Sequence, residues 1–253
     1  MFSDIILFPS IGKRNLPKMK MNKLIIIMLF LETFGDVVRA ALPCPKQCKC
    51  LTYGLVSCKD KPIENDQALL EITQTVEPMK TKFLALTNNK LKSFKPEYFV
   101  NFTRLIAITI KDNLLTQMPK KVNYFIPTVI RFSVYNNKVK ELREEDFEGY
   151  EKVETLSLRG NQIEQLEPNV FQHLTNVKLL NLDLNKISIL KKGIFNGMNN
   201  LQTIQLNSNQ IKSIETGVFD NYEEIEIVKL SRNKLNSIQA GVFSKVHIIV
   251  HRR

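Results

Sequence analysis

The sequence predicts an α/β repeat solenoid: a curved horseshoe with a parallel β-sheet on its concave side and a mostly irregular or short-helical convex side. Three observations predict this fold. An asparagine recurs every 24 residues, apolar residues hold fixed positions around it, and a phenylalanine follows it by ten residues in all copies but one. A period of 24 is much longer than that of one helix or strand, so it marks repeated units that bury their apolar sides by stacking.

Residues 1–40 are predicted to be a leader that contains a secretory signal peptide at 19–40. A basic start at Met19–Lys23 precedes the apolar run Leu24–Leu31, and small residues precede a predicted cut near Ala40. The apolar run is too short to span a bilayer, and no later apolar stretch is long enough either. A secreted, extracellular protein is therefore expected.

A cysteine-rich cap is predicted at 41–58, directly after the leader. It holds all the cysteines of the chain, Cys44, Cys48, Cys50 and Cys58. Four closely spaced cysteines after a secretion signal indicate two disulfides in an oxidising compartment, although three pairings are possible. A zinc site is the alternative, but zinc sites usually show two separated cysteine pairs or a histidine, and neither is present nearby. We expect no metal and no cofactor.

Seven repeats occupy residues 81–246, and an irregular segment at 59–80 joins them to the cap. In each repeat, apolar residues lie eight, five and three positions before the asparagine and two and five positions after it. The alternation in Leu156-Ser157-Leu158 predicts a short strand with both leucines facing inward. Thr81 is the only polar residue at these positions, and Asn123 replaces the phenylalanine in the second repeat.

The repeated asparagines are predicted to form a structural ladder. Each lies at the bend that follows a strand, where backbone groups are shielded from water. An amide side chain has donors and an acceptor, so it can pair with backbone groups of its own repeat and of a neighbour. The ladder consists of Asn89, Asn113, Asn137, Asn161, Asn185, Asn209 and Asn233.

The repeat motif LxxLxLxxNxI resembles that of the leucine-rich repeat family, and CPKQCKC with Cys58 resembles the N-terminal cysteine-rich cap of that family. The resemblance implies a leucine-rich repeat horseshoe and the disulfides Cys44–Cys50 and Cys48–Cys58. It also implies that the concave face binds ligands. Slit-like axon-guidance ligands, small leucine-rich proteoglycans, neuronal adhesion receptors and Toll-like extracellular proteins share this architecture, so the resemblance does not identify a ligand.

The candidate binding residues are those that the strand register turns outward on the concave face. Tyrosine and arginine are the residues that most often anchor protein interfaces. An extracellular protein ligand or receptor is therefore the expected partner, in adhesion, signalling or matrix recognition. The alternative is that these are ordinary solvated strand residues. The candidates are Lys111, Arg131, Tyr135, Arg159 and Asp183.

Charge offers a second class of partner. Without residues 1–40 the chain would carry 30 basic and 22 acidic side chains, a net charge of +8. Such a surface attracts anionic partners, so a sulfated glycan or a microbial surface is the alternative ligand. The lysines are scattered, and no nucleic-acid partner is predicted.

Asn101 begins the only N-x-S/T sequon, on the convex half of its repeat, and is predicted to be glycosylated.

No enzyme is predicted. The three histidines, His173, His247 and His251, have no serine or cysteine nucleophile at motif spacing, and the chain lacks a phosphate-binding glycine loop or an HExxH motif.

Residues 247–253 begin an incomplete repeat or a tail. We expect that the chain is a short or incomplete product. The alternative is that a partner or a dimer covers the last strand, because an open parallel edge invites pairing. Membrane association is expected only if the chain is part of a longer receptor ectodomain.

Overall fold

The computed structural model describes residues 44–60, 63–222 and 225–250, and it confirms the predicted solenoid with a parallel sheet. The predicted signal peptide lies outside these residues. One sheet of ten strands runs through the described coils, and only its first pair is antiparallel. The ten strands are β1 (Lys49–Leu51), β2 (Leu55–Lys59), β3 (Phe83–Thr87), β4 (Ala107–Lys111), β5 (Arg131–Tyr135), β6 (Thr155–Ser157), β7 (Leu179–Asn181), β9 (Thr203–Gln205), β11 (Ile225–Lys229) and β12 (Val246–Val250).

The strands of the repeats pair with a constant offset of 24 residues, from β3 to β11. Leu84 lies opposite Ile108, for example, and Phe132 lies opposite Leu156. This offset equals the sequence period, so equivalent residues of successive coils form straight columns. The final pair differs. Val228 of β11 lies opposite Ile249 of β12, an offset of 21. Strand β12 therefore begins three residues earlier in the sequence than the 24-residue period predicts.

The N-terminal cap closes one end of the stack. Its disulfides are Cys44–Cys50 and Cys48–Cys58, as the family resemblance implies. Strand β2 pairs in parallel with β3, and β1 pairs with β2, so the cap extends the sheet of the repeats by two strands. Cys58 is fully buried in the hydrophobic core. The cap thus covers apolar side chains that the first repeat would otherwise expose.

The segment 59–80, which does not follow the repeat, contains a ten-residue helix, α1 (Asp66–Thr75), that the sequence analysis did not predict. Asn65 caps the helix by accepting a hydrogen bond from the Ala68 amide at 3.0 Å. Leu69 and Ile72 are buried against the core. These two residues are spaced by three, which places them on one helical face.

The convex side is made of short elements, as predicted. Two 3-10 helices, η1 (Pro96–Phe99) and η2 (Glu144–Phe147), alternate with the one-turn helix α2 (Val122–Phe125). The prediction missed a second, two-stranded parallel sheet of β8 (Ile189–Leu190) and β10 (Ser213–Ile214). Within the described ranges, no helix is long and apolar enough to cross a membrane.

A column of phenylalanine rings fills the space behind the sheet in the later repeats. Successive ring centroids lie 5.4 to 6.2 Å apart. The rings are those of Phe147, Phe171, Phe195, Phe219 and Phe243. Phe99 is separated from this column by Asn123, whose amide instead donates to the Val129 carbonyl at 2.8 Å and accepts from the Lys152 amide.

The predicted asparagine ladder is present in all seven repeats. Asn161 shows the pattern: its Nδ2 donates to the carbonyls of Val134 at 2.7 Å and Leu158 at 3.0 Å, and its Oδ1 accepts from the Val139 amide at 3.1 Å. The first member, Asn89, donates to the Cys58 carbonyl and ties the cap to the repeats. We number the coils by these asparagines, from coil 1 (Asn89) to coil 7 (Asn233).

The residue before every ladder asparagine has a positive φ, which produces the sharp bend after each strand. Glycine, asparagine and aspartate accept this conformation readily, whereas a leucine there is strained by about 1–2 kcal/mol. Coil 5 nevertheless has Leu184 at this position, with φ of 55°. The seven residues are Asn88, Asp112, Asn136, Gly160, Leu184, Ser208 and Arg232.

We expect Leu184→Asn to stabilise the protein by about 0.5–1 kcal/mol, because asparagine relieves the backbone strain at little cost in burial. Leu184 is 43% exposed. Thermal unfolding followed by circular dichroism measures the effect. Ile189→Asn is the matched control, since Ile189 is 42% exposed but its backbone is outside the positive-φ set. An equal rise in melting temperature for both variants would contradict the strain argument.

Candidate functional site

The concave surface is made by the outward side chains of the main sheet. In β4, Ile108 and Ile110 are buried, whereas Lys111 points outward and is only half-buried. In β5, Arg131 is exposed and Tyr135 is half-buried. This alternation is a property of the pleated strand, in which successive side chains face opposite sides. It places side chains that are 24 residues apart in sequence next to each other on the surface.

Lys111 and Tyr135 form a contact at the centre of this surface. They are direct partners in the β4–β5 register, and the Lys111 ammonium lies 5.4 Å from the centroid of the Tyr135 ring. A cation over a tyrosine ring is worth about 0.5–1 kcal/mol at an exposed site. Asp112 lies 3.5 Å from the same ammonium and accepts a hydrogen bond from Asn136 at 2.8 Å. Its carboxylate is thus engaged within the surface.

Arg131 lies at the opposite end of β5 from Tyr135, four residues or about 13 Å along the strand. Its neighbours in the register are Ala107 and Thr155, which are small. Within the described part of the chain, no carboxylate lies within salt-bridge distance of its guanidinium. An exposed arginine between short side chains can present all of its donors to a ligand.

Arg159 and Asp183 form an ion pair at 3.5 Å, but only the arginine is accessible. The Arg159 side chain is 44% exposed and that of Asp183 is 9% exposed. Asp183 is turned toward the next coil, where its Oδ1 accepts from the Asn207 amide at 2.7 Å. The expectation that Asp183 is an exposed contact residue is therefore corrected, because it holds Arg159 in place from beneath.

The polar contacts continue to the last coils. Asn207 Oδ1 accepts from the Ser231 amide at 2.9 Å, so a chain of contacts links coils 5, 6 and 7. Beside it lies a pocket of about 540 Å³, whose lining includes Arg159, Lys229 and Arg232. Sequence reasoning named only the first of these. The other two were equally visible in the repeat register as basic residues in neighbouring columns.

The predicted glycosylation site and the histidines lie apart from the Lys111–Tyr135 contact. Asn101 is exposed, after η1 and before β4, outside the strands of the sheet. His173 Nε2 is 3.6 Å from Glu144 Oε1, near η2 on the convex side. His247 lies in the last strand, and His251 is outside the described residues. Across 44–60, 63–222 and 225–250, no group of three or more His, Cys, Asp or Glu side chains could hold a metal ion.

Comparisons with known proteins agree with the repeat. The model of the BspA type leucine rich repeat region matches residues 140–251 in six copies. No curated protein sequence matches the chain. A solved structure of the TLR13–ssRNA13 complex superposes with a TM-score of 0.64 at 17% identity, covering 74% of this chain and 30% of that chain.

Two further structures resemble the chain. The Toll–Spatzle complex of Drosophila gives a TM-score of 0.59 at 22% identity, over 70% of this chain and 28% of that chain. Internalin C2 of Listeria monocytogenes gives 0.58 at 14% identity, over 79% of this chain and 80% of that chain. The chain thus spans less than a third of the first two proteins, and the similarity to all three concerns the fold.

Proposed function

We propose that this chain is a leucine-rich repeat protein and that it acts as an extracellular binding module that holds a protein ligand against its concave sheet. The observation that carries the proposal is the set of Lys111, Arg131, Tyr135 and Arg159, which lie in β4, in β5 and two residues after the end of β6. Arginine and tyrosine are enriched among the residues that dominate binding energies. We call these four residues the concave cluster.

The chemistry of the concave cluster favours a ligand with an acidic surface. Its three cations outnumber the two nearby carboxylates, Asp112 and Asp183, which pair with Lys111 and Arg159. Each carboxylate also accepts a hydrogen bond from a neighbouring asparagine, so part of its charge is already compensated. Charge complementarity of this kind raises association rates and selects among partners. Because the strands and the Arg159–Asp183 pair hold the cluster in place, little ordering is needed when a ligand binds.

The compartment and the fold are consistent with this proposal. Two disulfides indicate an oxidising environment. The similar structures include complexes with ssRNA13 and with Spatzle, so proteins of this fold hold ligands of different classes. The ligand of this chain must therefore be deduced from its own side chains. The signal peptide and a glycan on Asn101 are part of the proposal, and Asn101 lies outside the strands of the concave sheet.

We expect Arg131→Glu with Arg159→Glu to weaken binding to the protein ligand by about 30-fold or more, because truncating a single hot-spot residue costs about 2 kcal/mol or more. The ligand would first be found by screening secreted and cell-surface ectodomains. Surface plasmon resonance on the purified variants then measures Kd.

The matched control is Arg104→Glu with Lys152→Glu, which makes the same change in net charge at exposed residues outside the sheet. This control is expected to bind as the unmodified protein does. Equal weakening by both double variants would show a general charge effect. Unchanged binding by the concave variant would place the ligand elsewhere and overturn the proposal.

A further inference from the structure

A second surface lies on the flank of the solenoid, beside the bends that follow strands β4 to β6. It is a groove of about 590 Å³. Its lining is basic and polar, and we call it the flank groove. Its main lining residues are Thr116, Gln117, Lys120, Lys138, Lys140 and Arg143, and two carboxylates, Glu141 and Asp146, also line it.

The backbone fixes the two central lysines of the flank groove. The Lys138 amide donates to the Leu115 carbonyl at 2.8 Å, and the Val139 amide donates to the ladder residue Asn161 at 3.1 Å. Val139 is fully buried, so Lys138 and Lys140 on either side of it both point outward. Both are exposed, and neither makes a salt bridge within the described part of the chain.

The other two cations are held by carboxylates without being fully neutralised. Asp146 is buried at the base of η2, where it accepts from the Arg143 amide at 2.9 Å and lies 3.6 Å from Lys120 Nζ. Glu141 pairs with Arg143 at 3.4 Å, but both side chains are more than half exposed, so this pair is weak. Four cations therefore face two carboxylates, and the groove has an excess of positive charge.

The base of the flank groove is rigid. The Tyr150 hydroxyl donates to the Pro119 carbonyl at 2.5 Å, beneath Lys120. Burial, and then the nearby Asp146, raises the pKa of the Tyr150 phenol, so the hydroxyl keeps its proton and remains a donor. A rigid base fixes the backbone positions from which the lysine side chains extend.

We infer that the flank groove binds a linear sulfated polysaccharide. The lysines suit sulfate groups, and the Thr116 and Gln117 side chains supply hydrogen bonds for sugar hydroxyls. Adjacent coils lie about 4.8 Å apart, so a chain along the stack meets basic groups on several coils. On the side of coil 4 the surface is acidic, and its Glu164 and Glu167 already form salt bridges with lysines of coil 5. On the other side, the exposed Lys92 extends the basic surface toward coil 1. The polysaccharide therefore runs from coil 3 toward coil 1.

The test is the double variant Lys138→Gln with Lys140→Gln, measured against heparin. We expect it to elute from a heparin column at lower salt than the unmodified protein. The slope of log affinity against log salt should fall by about one to two, since each lost contact with a polyanion releases about one counterion fewer. Hyaluronan, which lacks sulfate, should bind neither form.

The matched control is Lys192→Gln with Lys212→Gln, two exposed lysines outside the groove. It removes the same charge and is expected to leave heparin elution unchanged. Equal losses in both double variants, or no loss in the groove variant, would overturn the assignment. Tighter binding of single-stranded RNA than of heparin at the groove would also overturn it. Because the groove is separate from the concave cluster, Arg131→Glu with Arg159→Glu should leave most heparin binding intact.

Discussion

Asn161→Ala is expected to lower the free energy of unfolding by about 2–4 kcal/mol. The side chain pairs three backbone groups, the carbonyls of Val134 and Leu158 and the amide of Val139. Asn161 is buried, so water cannot replace these bonds without opening the bend between two coils. The Leu158 carbonyl keeps a second donor, Asn185, which limits the loss. Urea denaturation followed by circular dichroism measures the change.

The control for Asn161 is the equivalent residue in the last coil. Asn233 makes the same kinds of bonds, to Leu206, Leu230 and Ile211, but it is only half-buried. Water can therefore satisfy its partners, and we expect Asn233→Ala to cost about 1 kcal/mol. If both substitutions had the same effect, burial of the ladder would not be the source of its contribution.

Phe195→Ala is expected to cost about 3–5 kcal/mol, in the range observed for large cavities in packed cores. Phe195 is buried, and its ring lies between Phe171 at 6.2 Å and Phe219 at 5.9 Å. Removing the ring leaves a void between two rigid neighbours that backbone hydrogen bonds prevent from closing. The same urea titration gives the free energy of unfolding.

Phe243 provides the comparison, since it stands at the end of the column. Its ring contacts Phe219 at 5.7 Å and is only half-buried. We expect Phe243→Ala to cost clearly less than Phe195→Ala, because solvent fills the space. A larger effect at Phe243 would mean that the column does not derive its stability from neighbours on both sides.

The repeat allowed most of the fold to be predicted. Each asparagine is at the same distance from the same apolar positions, so one copy defines the environment of all seven. The inward residues and the ladder follow from that equivalence alone. The cap pairing needed the family resemblance, because spacing permits three connectivities.

The structure departs from the sequence-based predictions in features that the 24-residue period does not specify. Helix α1 lies before the first full repeat, so no period could reveal it. The burial of Asp183 depends on a hydrogen bond to Asn207 in the next coil, which column membership does not specify. The flank groove arises from Lys138 and Lys140 together with Lys120 of the preceding coil. In the sequence these lysines look scattered, and only the stacking of the coils brings them together.

The shortened connection before β12 indicates where coils of this kind tolerate deletions and insertions. Val246 follows Phe243 by three residues, whereas its partner Ile225 follows Phe219 by six. The missing residues fall between the phenylalanine and the strand, and the parallel pairing still forms. An engineered loop or epitope placed in that stretch of a central coil should therefore leave the neighbouring strands in register, while one placed at the positive-φ bend would not.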